Sequence, residues 1–215
     1  MYVNFRREIG EMVRAASMNG ERKKRQAAIG RKHRKWLKGV NYVFNASASL
    51  ELENCFRKAA AAWERNTCIN FKQGKASDYL FVTDTGCYSS YVGRHGGRQT
   101  LSLRSYCEKE IGRAIHEIGH ALGLYHTSSR YDRNNYITVM PNTLENYPNE
   151  FKLITQEESE NYGTEYDHGS IMHLGSNVHT PIMIAADENY RRTMGSQMLS
   201  FTDLWLINKH YGCLG

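Results

Sequence analysis

Apolar residues recur along the first half of this chain with two different periods. Over residues 40–47 (VNYVFNAS) they alternate with polar ones, the period of a strand with one buried face. Over residues 50–67 (LELENCFRKAAAAWERNT) the spacing turns helical, and four consecutive alanines, the strongest helix formers, lead into Trp63. Short runs rich in strand formers follow at 68–71, 78–84 and 100–103. Between residues 109 and 122, Ile111, Ile115, Ile118 and Leu122 are spaced by four, three and four, which gives a second helix one apolar face. His116 and His120 lie on the other.

After His126 neither period persists, and the chain is polar and irregular as far as Ser200. A long segment of this kind inside a compact domain is commonly a functional wall. Ser200 and Asp203 then form a helix-start signature, and Leu204, Ile207 and Tyr211 give the terminal helix a buried stripe. The pattern predicts an α+β protein with its regular elements concentrated in the first half. It contains no internal repeat. Nor does any run of apolar residues approach the length that spans a membrane.

A length of 215 residues with 40% hydrophobic residues suits one large domain, or two lobes sharing a cleft. The net charge of +6 raises the question of a nucleic-acid partner, but its distribution argues against one. Residues 1–25 hold seven basic side chains (Arg6, Arg7, Arg14, Arg22, Lys23, Lys24, Arg25) against Glu8, Glu11 and Glu21, leaving only +2 for the rest. Phosphate binding needs basic residues on one folded surface. Arg22-Lys23-Lys24-Arg25 instead has the form of a processing site, and no apolar core of a signal peptide follows Met1. The cysteines, Cys55, Cys68, Cys87, Cys107 and Cys213, form no C-x-x-C pair, so two disulfides and one remaining thiol are expected, in a pairing that counting alone leaves open. The sequon Asn45-Ala46-Ser47 agrees with a secreted glycoprotein.

Residues 116–126 read HEIGHALGLYH. Side chains four apart on a helix lie nearly above one another, so His116 and His120 can direct their imidazoles at one point. Gly123 tolerates the positive φ at which a helix ends, and His126 can return as a third ligand. By composition alone, a match of this length arises in about one such chain in 10,000. Three neutral histidines leave one position open on a tetrahedral zinc, the arrangement of a catalytic ion rather than a structural one. Glu117 is then placed to activate a zinc-bound water against a peptide bond and to pass the proton to the leaving amine.

H-E-x-x-H-x-x-G-x-x-H is the metzincin motif, and the segment from Tyr166 to His173 (YDHGSIMH), with Met172 46 residues after His126, resembles the Met-turn that lies beneath the metal in that clan. Within the clan the chain resembles the astacin family from Ala27 to Cys213. Arg130-Tyr131-Asp132-Arg133, GCYSSYVGRHGGRQTLSL (86–103) and LSFTDLWLINKHYGC (199–213) carry that resemblance. It implies an upper lobe of twisted mixed sheet and two helices, a largely irregular lower lobe with a C-terminal helix, and an extended protein or peptide substrate between them. It also implies one catalytic zinc on His116, His120 and His126, Glu117 as the base, and disulfides Cys68–Cys213 and Cys87–Cys107. A secreted zymogen is implied too, with residues 1–25 a propeptide remnant and 26–215 the peptidase domain.

Two positions depart from the family pattern. Thr127 stands where relatives carry a glutamate after the third histidine. Leu174 stands where they carry a tyrosine that hydrogen-bonds the developing oxyanion, a loss that typically costs about 10²- to 10³-fold in rate. Tyr166 and His173 are nearby substitutes, although structural roles suit both. The alternative to a slow endopeptidase is an inactive zinc-binding scaffold that engages proteins through its cleft. Arg191 and Arg192 offer either a preference for acidic substrates or an ordinary exposed pair.

Overall fold

A computed structural model describes residues 35–84 and 86–213. The basic segment 1–25 and its expected cleavage point lie outside the described residues.

The alternating segment forms β1 (Val40–Phe44) and the helical spacing after it forms α1 (Leu50–Glu64). Ser49 starts α1 by accepting a hydrogen bond from the Leu52 N–H, and Glu51 and Glu53 set negative charge in the first turn. β2 (Phe71–Gln73), β3 (Tyr79–Thr83), β4 (Ser89–Ser90) and β5 (Arg98–Ser102) complete a sheet ordered β2-β1-β3-β5-β4. Its neighbours are parallel except β4, which runs antiparallel to β5 at the edge. The strand expected at 68–71 begins only at Phe71, because Cys68 is held in a disulfide and the Asn70 carbonyl accepts from the Val40 N–H ahead of the ladder.

A 3-10 turn, Cys107–Glu110, leads into α2 (Ile111–Leu122). α1 and α2 share a core in which Phe56, Trp63, Leu80, Leu101, Ile118 and Leu122 are fully buried. Small Ala59 and Ala60 on the inner face of α1 admit close packing, and the Trp63 indole N–H donates to the Ile115 carbonyl of α2 at 3.0 Å. The last carbonyls of α2 also find partners. Trp36 Nε1 donates to Ala121 O at 2.9 Å and the Tyr211 hydroxyl to Leu122 O at 3.0 Å.

Cys68 and Cys213 are bonded as the resemblance implied, but Cys107 is not joined to Cys87. It bonds Cys55, with the Cα atoms 5.9 Å apart. Cys55 lies on the inner face of α1 between Leu52 and Ala59, and it and Cys107 are both fully buried where the 3-10 turn meets that helix. Cys87 is half-buried on the approach to β4.

The segment that lacks periodicity is mostly irregular, yet it contains β6 (Ile137–Val139) paired antiparallel with β7 (Met183–Ala185), and the short helix α3 (Pro141–Asn146). Around them Ile137, Val139, Phe151, Tyr166, Met183 and Met194 form a second, smaller core. α4 (Phe201–Tyr211) begins at the expected capping box of Ser200 and Asp203. It packs back on the first core through fully buried Ile207 and partly buried Leu204 and Tyr211. The architecture is the expected α+β arrangement, and among the described residues no helix is long and apolar enough to cross a membrane.

Candidate metal centre

α2 buries its isoleucine face and brings His116 and His120 to the opposite side. It ends at Gly123, whose φ of 111° is left-handed and whose N–H closes on Gly119 and His120 carbonyls. That reversal returns the chain so that His126 meets the other two rings. The three histidines offer ligand atoms all within 4.8 Å of one another. His126 Nε2 lies 3.2 Å from both His116 Nε2 and His120 Nε2.

The hydrogen bonds behind the rings test whether a metal fits. His116 Nδ1 is 2.7 Å from the Ile171 carbonyl and His120 Nδ1 is 2.8 Å from the Leu124 carbonyl. A carbonyl oxygen can only accept, so both Nδ1 atoms carry the proton and both Nε2 lone pairs face the centre. His126 Nε2 meets both of these lone pairs at 3.2 Å, a gathering of three ring nitrogens that one cation can share. Two nitrogens each ~2.1 Å from a tetrahedral zinc would sit roughly 3.3–3.4 Å apart, so the donor set fits zinc.

Burial holds His116 in the neutral form a ligand needs, lowering it to about 4 despite the hydrogen bond to Ile171, with nearby Arg113 adding to the effect. Burial also pushes the Glu117 carboxyl up to about 8, and Arg113 opposes that rise. A dication on the adjacent histidines acts in the same direction as Arg113 and favours the carboxylate.

The Met-turn closes the floor. Met172 is buried, and a Cβ on Gly119 would lie 2.6 Å from its sulfur and 3.2 Å from Trp63 Cζ2, so only glycine admits this approach. Thr127, the residue after the third histidine, is buried and its N–H donates to the Met172 carbonyl at 3.0 Å. Leu174 packs against the smaller core and, as leucine, has no proton to donate.

Tyr166 and His173 are engaged with each other. His173 Nδ1 donates to the Leu174 carbonyl at 2.8 Å, so its Nε2 accepts from the Tyr166 hydroxyl at 2.9 Å. Both side chains are buried, and Tyr166 stacks on Tyr136. Arg191 and Arg192 are exposed, and Arg191 pairs with Glu188 at 2.9 Å. In the sequence Asp203 is legible only as a helix cap. Its carboxylate also accepts from the Ser170 hydroxyl at 2.6 Å and the Ile171 N–H at 2.9 Å, holding the Met-turn. The polar residue at a buried-stripe helix start was the visible signal; its partners 32 and 33 residues upstream were not.

A two-lobed α+β domain with three convergent histidines on a helix–glycine–return unit, above a buried methionine turn, has the architecture of a metzincin-type metal site. The chain belongs to the astacin family, described as Astacin (Peptidase family M12A), whose profile matches residues 28–212. It is 42% identical over 185 residues to zinc metalloproteinase nas-31 of Caenorhabditis elegans, covering 83% of this chain and 30% of that protein. It is 38% identical over 192 residues to zinc metalloproteinase nas-36 of Brugia malayi, covering 84% and 32%. The chain thus spans about a third of the length of these curated relatives. Among solved structures it is similar to high choriolytic enzyme 1, a hatching enzyme zinc-protease from Oryzias latipes, with a TM-score of 0.70 and 27% identity over 81% of this chain and 89% of that one. Myroilysin, 19% identical with a TM-score of 0.61, shares the fold.

Proposed function

We propose that this domain is a zinc endopeptidase that cleaves protein or peptide substrates, with His116, His120 and His126 holding one zinc and Glu117 moving the proton. The observation that carries this reading is the set of three converging imidazoles, two of them with Nδ1 protons tied to carbonyls, beside a buried carboxyl. When bound, zinc polarises a substrate carbonyl and makes water a nucleophile near neutral pH. Glu117, one residue along the helix from the first ligand, takes the proton of the attacking water on its carboxylate and returns it to the leaving nitrogen. The two disulfides and the sequon suit an oxidising compartment, so the domain works outside the cytosol after processing near Arg25.

Glu117→Gln should lower peptide cleavage about 10²- to 10⁴-fold while zinc content, measured by atomic absorption, stays at one per chain. Cleavage at the wild-type rate by that variant would remove Glu117 from its role. Leu174 favours a second reading, a domain that binds peptides in its cleft with little turnover. A peptide library read with and without chelator separates the two, since only chelator-sensitive products support the enzyme. In the enzyme, Leu174→Tyr should raise kcat by up to about 10²-fold.

A further inference from the structure

One proton-donor chain connects the terminal helix to the first histidine of the metal centre. His116 Nδ1–H donates to the Ile171 carbonyl at 2.7 Å. The other end of that same peptide unit, the Met172 N–H, donates to Ser170 Oγ at 3.0 Å. Having accepted there, the Ser170 hydroxyl donates its own proton to Asp203 Oδ1 at 2.6 Å. The second oxygen, Oδ2, accepts from the Ile171 N–H at 2.9 Å and the Ser200 N–H at 2.8 Å. Every donor therefore points toward the carboxylate. Ser170, Met172 and Asp203 are all at most 3% exposed, so water does not screen the path.

We infer that Ser170 and Asp203 are positioning residues for the zinc ligand His116, acting through the 171–172 peptide unit. Hydrogen bonds aligned in one direction polarise one another, and a buried low-dielectric path preserves the effect. A carboxylate that bonds a ligand histidine directly fixes its orientation and makes it a stronger donor. Here the carboxylate reaches the imidazole through one hydroxyl and one peptide. Asp203 also caps α4, so its replacement mixes two effects. Ser170 has no part in the cap and isolates the one in question.

The inference rests on the zinc-peptidase reading, and zinc affinity tests both separately. Zinc-stripped wild type, His116→Ala, Ser170→Ala, Ser170→Thr and Ser200→Ala are titrated with zinc against a fluorescent chelator. The His116 Nδ1–H resonance is followed by NMR in the loaded proteins. Ser170→Ala should weaken zinc binding about 10-fold, within the range for loss of a partner behind a ligand, and shift that resonance upfield. Ser170→Thr keeps a hydroxyl and should restore both. Ser200→Ala removes only the cap acceptor and should lower the unfolding temperature without changing zinc affinity. If Ser170→Ala does not fold, Ser170→Cys, near in size with a weak S–H donor, carries the comparison. Wild-type affinity and an unmoved resonance in the Ser170 variant would overturn the relay alone, as would equal zinc loss in Ser200→Ala. Failure of wild type to bind zinc would overturn the peptidase reading itself.

Discussion

The two halves of this domain reach order by different means. The first uses a sheet and two helices around a large apolar core, with Trp63, Phe56 and Leu101 fully buried. The second, between His126 and the terminal helix α4, has two three-residue strands and one short α-helix, and much of its shape comes from buried polar side chains that bind backbone. Arg133 is 5% exposed and donates to the Ser128 and Phe151 carbonyls at 2.8 and 2.7 Å. Arg130 clamps Asp132 and reaches the Thr164 and Glu165 carbonyls. The candidate metal centre lies on the seam: His116 and His120 come from the apolar-packed helix, and the carbonyl that holds the His116 ring comes from Ile171 in the polar-braced segment. Regular packing sets the ligand spacing, and hydrogen bonding from the irregular side aims the rings.

Substitutions should separate the two regimes. Trp63→Ala opens a cavity beneath α2 and frees the Ile115 carbonyl, and should cost about 3–5 kcal/mol in urea unfolding. A loss under 1 kcal/mol would mean the first half does not depend on this core. Arg133→Met keeps the aliphatic volume but leaves two buried carbonyls without a donor, and should cost roughly 2–3 kcal/mol. An unchanged midpoint would show that the irregular half does not rely on that guanidinium.

The smallest effect is in the pH profile of the zinc-free protein, where the buried histidines and Glu117 pull in opposite directions. Burial lowers His116, His173 and His210 to about 4. Between pH 4 and the ordinary histidine value near 6.5 the unfolded chain therefore binds more protons, and stability falls as the pH is lowered through that window. Glu117, raised to about 8, has the reverse sign. Its folded form holds the extra proton, so stability is lost as the pH rises toward 8. Denaturation midpoints should peak near pH 6.5, and Glu117→Gln should flatten the alkaline limb and steepen the acid one. A profile that only rises through pH 4–8 would contradict the Glu117 assignment, and one that only falls would contradict the histidine assignments.

Legibility in the sequence follows the same division. The spacing of Ile111, Ile115, Ile118 and Leu122 carried enough period to place the histidines correctly, and the capping box of α4 was visible because both its members lie within one turn. β6 and β7 are too short for alternation to show. Cys55 sits on a recognisable inner face of α1 and bonds Cys107 there, whereas the family pattern implies Cys87–Cys107. Asp203's hold on the Met-turn could not be read, since it joins residues more than 30 positions apart without any periodic signal.

The Cys68–Cys213 bond closes a covalent loop with a sequence separation of 145, and the whole irregular half lies inside it. A single peptide-bond break in any of its loops leaves both pieces attached. Nicked molecules should therefore migrate as one band on a non-reducing gel and as two after reduction, so a cut in this half does not shed fragments.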